Sequence, residues 1–285
     1  MNRFQIRQFY ILSCNQELSV LKPGNLNTES NLSGMRKEKF QRAAKISSDI
    51  LIKKKNSLGE SIFLACENCI KELGENYNLG IILLCAPIIK VATENNFIRI
   101  EEFRKKLKKT LCSIDNKDSE LIIEAIKISR PAGLNNFDLK GDILKNSTKN
   151  TNFYNLAKIS QHYDRISRCY ACNYEEIFEI ALPYYKFQKR IFSEKISIEK
   201  LFIKLMSNDF DSHILRKFGV NIARSVCFKS KFVNNIINNN SQKYFNFYLK
   251  KFDRYLKLLK INPGTCADLT VTTLLMDKIT DIVKY

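Results

Sequence analysis

The side chains best suited to chemistry lie in six short polar segments of the sequence. Each segment combines carboxylates, basic groups or amides with a glycine or a residue that commonly starts a helix. Carboxylates transfer protons, while basic side chains and free backbone amides attract phosphate groups. The segments are residues 22–25, 75–80, 130–134, 163–168, 211–219 and 262–268.

The same segments also have structural explanations. The T-x-x-D order of Thr265 and Asp268 predicts a capping box, and Asp211 suits a helix N-terminus. Asp164 and Arg168 are four residues apart, which predicts an ion pair along one helix. The K-P-G run fits a helix stop. The chain has no P-loop, G-x-G-x-x-G or G-x-S-x-G motif, so no single segment identifies a reaction.

Two cysteine pairs, Cys66/Cys69 and Cys169/Cys172, have the C-x-x-C spacing of zinc ligands. Both pairs fall in helical patterns without the glycine or proline of a zinc-knuckle turn, which favours buried small side chains. A four-thiolate zinc site is the alternative, and two histidines are too few for a three-histidine site. Nine cysteines without a secretory signal predict a cytoplasmic chain and no disulfide framework.

The formal net charge of +18 raises the question of nucleic-acid binding. The lysines are spread over helix faces, however, and no RNP motif, zinc finger or basic tail is present. We therefore expect no nucleic-acid partner, although a basic helical nucleic-acid-binding protein stays as an alternative. The positive field attracts phosphorylated small molecules.

Helical periodicity dominates the sequence, and no segment alternates strongly with period two. We predict one all-α domain over residues 1–285, with the polar loop at 130–151 as an active-site loop. The apolar run at 79–92 is too short to span a membrane and predicts a buried core helix. The predicted helices are 5–20, 35–53, 58–73, 79–94, 100–111, 119–128, 152–172, 174–192 with a kink at Pro183, 198–206, 211–229 after an Asn208-Asp209 cap, 241–259 and 265–283.

The order of the six segments carries more information than any one of them. The chain reads E-x-x-x-x-K-P-G-N, N-x-N-L-G, R-P-x-G-L, D-R-x-x-R-x-Y, D-S-x-I-x-R-K-x-G and N-P-G-T-x-A-D-L. This series resembles the triphosphoribosyl-dephospho-CoA synthase family, from Glu17 to the last helix. The first and last motifs are the most specific. The resemblance implies an all-helical fold, in agreement with the periodicity.

Two segments depart from the pattern of the citrate lyase and malonate decarboxylase branches. Those branches typically carry N-T-H-K-G where this chain has Asn76-Tyr77-Asn78-Leu79-Gly80. They also have a histidine-rich stretch after K-P-G, where residues 31–35 read N-L-S-G-M. The sequence therefore resembles a divergent branch of the family.

The resemblance implies a glycosyl transfer that makes a prosthetic-group precursor. The 2′-hydroxyl of 3′-dephospho-CoA attacks C1′ of the ATP ribose, and adenine leaves. Such a reaction needs a carboxylate to accept the hydroxyl proton and an acid to assist the leaving base. Mg²⁺ and basic side chains would neutralise the triphosphate. An ATP-dependent ribosyl transferase acting on another cofactor precursor is the alternative.

Carried onto this chain, the resemblance implies three groups of site residues. Asp164, Asp211 and Asp268 are the carboxylates for catalysis or for Mg²⁺, with base and metal ligand left unassigned. Glu17 is expected to orient Lys22, and His213 is a minor candidate for substrate contact. The remaining expected substrate- and phosphate-binding residues are Gly24, Asn25, Asn76, Asn78, Arg130, Gly133, Arg165, Arg168, Arg216, Lys217, Asn262, Gly264 and Thr265.

Overall fold

The computed structural model describes residues 2–27, 36–94, 99–133, 152–239 and 242–282. Within these ranges the chain forms α-helices, one π-helical segment and no β-strand, which confirms the all-α prediction. The helices of the first half are α1 (Arg3–Leu18), α2 (Lys37–Leu51), α3 (Leu58–Leu73), α4 (Leu79–Glu94), α5 (Ile100–Cys112) and α6 (Asn116–Ser129). The second half contains α7 (Phe153–Ser160), α8 (Arg165–Ala171), the π-helical segment (Glu176–Ala181), α9 (Leu182–Ile191), α10 (Glu194–Asn208), α11 (Ser212–Phe218), α12 (Val220–Asn239), α13 (Gln242–Leu258) and α14 (Gly264–Ile282).

Helices α4 and α14 form the centre of the fold. Most side chains of both are buried, and each packs against the other and against α1. The apolar run of α4 explains this position, because a helix that is apolar on all sides is stable only when other elements surround it. No helix in the described ranges is both long and apolar enough to cross a membrane.

Local sequence signals fix the helices of the first half. The Ser57 side chain accepts the Glu60 amide while Glu60 accepts the Ser57 amide, and this capping box starts α3. Gly74 ends α3 with φ +83°, a left-handed conformation that favours glycine. The predicted bounds of α3 and α4 agree with the structure residue for residue. The sequence offers Thr151 or Asn152 as the cap of the next helix, and the structure shows that Asn152 caps α7, since its side chain accepts the Asn155 amide.

The predicted helix over 152–172 is wrong, because the structure divides it into α7 and α8. The Asp164 side chain accepts the Ser167 amide and begins α8, while the Asp164 amide itself donates to Ser160 O. An aspartate in the N-cap position competes with helix continuation. The predicted ion pair between Asp164 and Arg168 is wrong for the same reason: Asp164 contacts Arg216, and Arg168 contacts Asp209.

The predicted helix over 211–229 is also two helices. Gly219, with φ +84°, separates α11 from α12. The predicted cap at Asn208-Asp209 is wrong, since α10 extends to Asn208 and Asp211 caps α11 by accepting the Ile214 amide. Helix α10 itself begins at Glu194, one turn before its predicted start.

The predicted helix over 174–192 begins as a π-helical segment that leads into α9. Asn173 and Tyr174 have φ of +49° and +57° and form the turn before it, and Pro183 lies in the first turn of α9. Four sequence predictions fall outside the described residues: the loop residues 134–151, the helix starts at 35 and 241, and the helix end at 283.

Candidate active site

A cavity of about 990 Å³ lies where several helices begin or end. The first turns of α4, α8, α11 and α14 contribute to it, together with the ends of α1 and α6. Its volume is at the upper end of the usual range for ligand sites, so it has room for large ligands. The expected site residues that line it are Glu17, Asn25, Asn76, Asn78, Arg130, Gly133, Asp164, Arg216, Asn262, Gly264 and Asp268.

The end of α1 and the first turns of α4 and α14 form what we call the acidic side of the cavity, which carries Glu17 and Asp268. Glu17 lines the cavity and accepts a hydrogen bond from Lys22 Nζ, whose side chain is fully buried and does not line the cavity. Burial raises the pKa of Glu17, and the positive charge of Lys22 opposes that rise. Burial lowers the pKa of Lys22, opposed by Glu17. The Glu17 carboxylate thus lies between the cavity and the fully buried ammonium group of Lys22.

Asp268 is the other carboxyl of the acidic side. Burial raises its pKa well above the usual range, and the negative charges of Asp211 and Glu17 raise it further. No hydrogen bond to its carboxyl occurs in the described part of the chain. Asp268 lies directly over Gly80, where an added Cβ would collide with the carboxyl oxygens. The structure therefore places a carboxyl that favours its protonated form in contact with the cavity.

Amide side chains connect the loops of the acidic side. Asn25 Nδ2 donates to Asn262 Oδ1 at 2.9 Å, which joins the loop after α1 to the loop before α14. Asn76 Oδ1 accepts the amides of Asn78 and Leu79 and begins α4. Asn78 Nδ2 donates to Ser47 Oγ at 3.1 Å. These amides line the cavity while they hold its loops in place.

The end of α6 and the first turns of α8 and α11 form what we call the basic side, which carries Lys127, Arg130 and Arg216. Arg216 Nη1 donates to Asp164 Oδ2, and its Nε is buried without a partner. Gly133 packs against the Arg216 backbone, where an added Cβ would lie 2.7 Å from the carbonyl oxygen. Its φ of +85° also favours glycine.

Hydrogen bonds connect the N-termini of α8, α11 and α14. Asp211 accepts the Ile214 amide with Oδ1 and the Cys266 amide with Oδ2, at 3.0 and 2.8 Å. Ser212 Oγ accepts the Arg165 amide, and Thr265 Oγ1 accepts the His213 amide at 3.2 Å. The predicted capping role of Thr265 is therefore replaced by a bond to another helix. Asp211 and Thr265 hold the helix ends that line the cavity, without lining it themselves.

Five further expected residues lie behind or beside the cavity. Gly24, with φ +77°, donates its amide to Asp253, and Lys22 is sealed behind Glu17. Arg168 pairs with Asp209, and Lys217 is exposed over the Phe218 ring.

Arg165 is fully buried behind the cavity. Its Nε donates to Glu176 Oε2 at 3.1 Å, its Nη2 donates to Glu176 Oε1, and its Nη1 contacts Cys266 Sγ at 3.2 Å. Arg165 thus joins the π-helical segment to α14 rather than facing the cavity.

The expected three-aspartate metal site is not assembled. In the described ranges, no group of three or more His, Cys, Asp or Glu side chains is placed to hold a metal ion. Asp211 is occupied by two backbone amides, and Asp164 is shared between an amide and Arg216. Of the C-x-x-C cysteines, Cys66, Cys69 and Cys169 are buried, and Cys172 is half-buried.

Several cavity residues were not among the expected site residues or were only minor candidates, among them Lys127, Gly80, His213 and Tyr163. Gly80 provides the space for Asp268, and the N-x-N-L-G motif contains the signal that identifies it. His213 lines the cavity, and burial lowers its pKa, as do the nearby charges of Arg216 and Lys217. Tyr163 also lines the cavity, directly before the capping Asp164.

The described helices and this cavity define an all-α protein with a large polar site at its helix ends. The CitG family model, described as ATP:dephospho-CoA triphosphoribosyl transferase, matches residues 3–284, and the chain belongs to that family. The resemblance found in the six segments is thereby confirmed. The chain is accordingly an enzyme of this transferase type.

A solved structure agrees with the fold. A crystal structure from Archaeoglobus fulgidus, described as a "putative triphosphoribosyl-dephospho-coA synthase", matches with a TM-score of 0.63 and 20% sequence identity. The match covers 83% of this chain and 96% of that chain. At this identity the likeness shows a shared fold. A search of curated protein sequences finds no match.

Proposed function

We propose that this chain transfers the 5-triphosphoribosyl group of ATP to the 2′-hydroxyl of 3′-dephospho-CoA and releases adenine. The observation that carries the proposal is one large cavity lined both by the carboxyls Glu17 and Asp268 and by the basic side chains Lys127, Arg130 and Arg216. Family membership supports the pair of substrates. The acidic side suits the proton transfers of a glycosyl transfer, and the basic side suits a triphosphate.

The triphosphate of ATP binds on the basic side. Arg216 and Arg130 line the cavity and supply positive charge. Asp164 orients Arg216 through their direct contact. Glycine at 133 lets the backbone of its loop pack closely against α11.

The bond exchange takes place on the acidic side. The acceptor 2′-oxygen forms a bond to C1′ of the ATP ribose while the bond between C1′ and the adenine nitrogen breaks. Glu17 accepts the hydroxyl proton, because the charge of Lys22 favours its ionised form. Asp268 donates its proton to the departing adenine, which takes the electron pair of the broken bond. One proton is lost by the acceptor and one is gained by the leaving group, so the step is balanced.

The remaining expected carboxylates have different parts in this proposal. Asp211 is a positioning residue, since both its oxygens hold helix N-termini. Mg²⁺ commonly binds proteins through one or two carboxylates together with substrate phosphates, so a three-carboxylate cluster is not required. Asp164 lines the cavity and is the carboxylate that would hold the ion, beside its present partners, the Ser167 amide and Arg216. The ion would neutralise charge on the triphosphate.

The test is an adenine-release assay. The pure protein is incubated with ATP, Mg²⁺ and 3′-dephospho-CoA, and free adenine is followed by chromatography. Adenine that appears only with the acceptor supports the proposal, and its loss with EDTA supports the metal. If ATP binds in calorimetry but no adenine forms, the acceptor is another cofactor precursor. If neither nucleotide binds, the proposed function is wrong.

A further inference from the structure

Helices α12 and α13 carry exposed apolar side chains away from the cavity, which no described residue between Val220 and Leu259 lines. Of the fifteen large apolar side chains that are exposed in the described ranges, nine lie in this stretch. They are Val220, Ile222, Phe228, Phe232, Tyr244, Phe247, Tyr255, Leu258 and Leu259. Single exposed apolar side chains are ordinary, but a concentration of them indicates an interaction site.

The exposed side chains form one stripe on each helix. On α12, Phe228 and Phe232 are four residues apart and therefore neighbours on the helix surface. The stripe on α13 repeats every three or four residues and consists of Tyr244, Phe247, Lys251, Tyr255 and Leu258. Lys229 Nζ on α12 lies 4.8 Å from the centroid of the Tyr255 ring, which brings the two stripes together. We call the two stripes the α12–α13 surface.

The α12–α13 surface is also strongly basic. Residues 220–260 contain nine lysines and arginines but a single acidic residue, Asp253, which is buried and accepts the Gly24 amide. The exposed basic side chains of the described residues in this stretch are Arg224, Lys231, Lys250, Lys251, Arg254 and Lys260. A symmetric contact between two copies of the chain would bring these like charges together, so charge repulsion disfavours a second copy as the occupant.

An anionic lipid surface suits both properties. Basic side chains meet the headgroup phosphates, while aromatic and aliphatic side chains enter the boundary between headgroups and acyl chains. A single-stranded nucleic acid would stack bases on the rings but would gain little from Leu258 and Leu259. A protein partner commonly anchors its side chains in pockets. Neither the active-site cavity nor a smaller one of about 380 Å³ beside α5 and α8 is lined by residues of the α12–α13 surface.

We propose that the α12–α13 surface docks the protein reversibly on an anionic membrane surface. Both helices lie in the plane of the interface, with Phe228, Phe232 and Phe247 inserted between headgroups. Lys251 and Arg254 are among the side chains that contact lipid phosphates. This binding goes beyond the transfer reaction and does not depend on it, because the two use different residues.

The experiment is co-sedimentation of the pure full-length protein with sucrose-loaded vesicles. One set of vesicles is phosphatidylcholine, and the other is phosphatidylcholine mixed with phosphatidylglycerol. We expect the partition coefficient to be at least about tenfold higher for the anionic vesicles at low salt, because each basic side chain near such a surface contributes attraction. High salt should weaken the preference through screening.

The apolar contribution is tested with Phe228→Ser/Phe232→Ser. Loss of two inserted aromatic side chains should lower partitioning into anionic vesicles by at least about tenfold. Phe4→Ser/Phe187→Ser is the matched control, since these rings are 64% and 55% exposed against 74% and 63% for Phe228 and Phe232. It should change partitioning less than about twofold. Circular dichroism and adenine release should be unchanged in both variants.

The basic contribution is tested with Lys251→Glu/Arg254→Glu. This variant should lose the preference for anionic vesicles, with at least a tenfold fall in partitioning, roughly the effect of two basic side chains. Lys106→Glu/Lys109→Glu is the matched control, because it changes the net charge equally at two exposed positions of α5 with the same spacing. It should keep most of the preference. Equal losses in the two variants would indicate attraction by net charge alone and would contradict docking by this surface.

Three further outcomes would overturn the proposal. The first is wild-type protein that does not sediment with anionic vesicles. The second is single-stranded RNA binding without vesicle binding, which would assign the surface to nucleic acid. The third is a dimer in analytical ultracentrifugation that Phe228→Ser/Phe232→Ser dissociates, which would make the surface a subunit interface. Each of these results leaves the adenine-release assay unaffected, so the transfer reaction is tested separately.

Discussion

The acidic and basic sides of the cavity differ in construction as well as in charge. On the basic side, Asp164 begins one short helix and contacts Arg216 on another, and these groups remain partly exposed. On the acidic side, Glu17 is buried against Lys22, and Asp268 is pressed against Gly80 from a distant part of the sequence. The basic side is suited to binding, and the acidic side is suited to moving protons.

This difference predicts that substitutions on the two sides have effects of different size. Loss of a phosphate contact weakens binding by the strength of one charge-assisted hydrogen bond. Loss of a proton donor removes an interaction that exists only in the transition state and lowers kcat. Substitutions on the acidic side should therefore have larger effects on turnover than substitutions on the basic side.

The largest effect is expected for Asp268→Asn. Removal of a general acid lowers turnover by about 10²–10⁴-fold, so kcat for adenine release should fall in that range while ATP binding changes little. Chromatography of free adenine and calorimetry with ATP measure the two quantities. Asp281→Asn, an exposed position on the same helix, is the control and should retain full activity.

Stability provides an independent check on Asp268. Its pKa is raised in the folded state, so the folded chain holds this proton more strongly than the unfolded chain does. Stability from this group is therefore present at low pH and is lost as pH rises from the ordinary aspartate range toward the folded-state pKa. Asp268→Asn should melt at the wild-type temperature or higher near neutral pH. A markedly lower melting temperature would show that Asp268 has a structural role instead.

Activity should depend on pH in a way that separates the two acidic-side carboxyls. Glu17 must be ionised and its pKa is raised, so activity should fall at low pH, at a value above that of an ordinary glutamate. Asp268 must be protonated, so activity should fall again as pH rises through its raised pKa. We expect kcat/KM to be bell-shaped against pH, with the alkaline limb missing in the residual activity of Asp268→Asn. A flat wild-type profile would contradict this pair of roles.

The next effect concerns binding on the basic side. Arg216→Gln should raise KM for ATP by about 10- to 100-fold, the strength of a hydrogen bond to a charged group, with a smaller change in kcat. Lys217→Gln is the matched comparison on the same helix, because Lys217 is exposed and does not line the cavity. It should change KM less than about twofold. Equal losses in the two variants would indicate a general effect of net charge instead of a specific contact.

Regions of the molecule also differ in how far the sequence predicts them. Local signals sufficed for α3 and α4, whose caps and apolar faces lie within a few residues of each other. The same local reasoning failed at Asp164, where the spacing suggested a continuous helix and the side chain caps a new one. Spacing also could not show that Arg165 pairs with Glu176, since the pair depends on the turn at Asn173 and Tyr174 that lies between them.

In the site too, contacts between residues close in sequence were predicted and contacts between distant residues were not. Glu17 and Lys22 are five residues apart, and their contact was expected from the sequence. The contact of Asp268 with Gly80 joins two core helices that are far apart in the chain, so no spacing could reveal it. Family resemblance placed Asp268 and Gly80 in motifs, but only the fold shows that Gly80 leaves the space that the Asp268 carboxyl occupies.

The smallest effect is expected at Arg168, which pairs with Asp209 beside the cavity without lining it. Burial alone would raise the pKa of Asp209, but hydrogen bonds from Arg168 and from the Phe210 amide bring it below the usual range. The stability from this group is therefore present above the ordinary aspartate range and is lost as pH falls toward the folded-state pKa. Because both side chains are about a third exposed, Arg168→Gln should cost only about 0–1 kcal/mol near neutral pH. Thermal melts of the variant should converge with those of the wild type at low pH, and KM for ATP should stay within about twofold. A rise in KM comparable to that of Arg216→Gln would place Arg168 on the basic side after all.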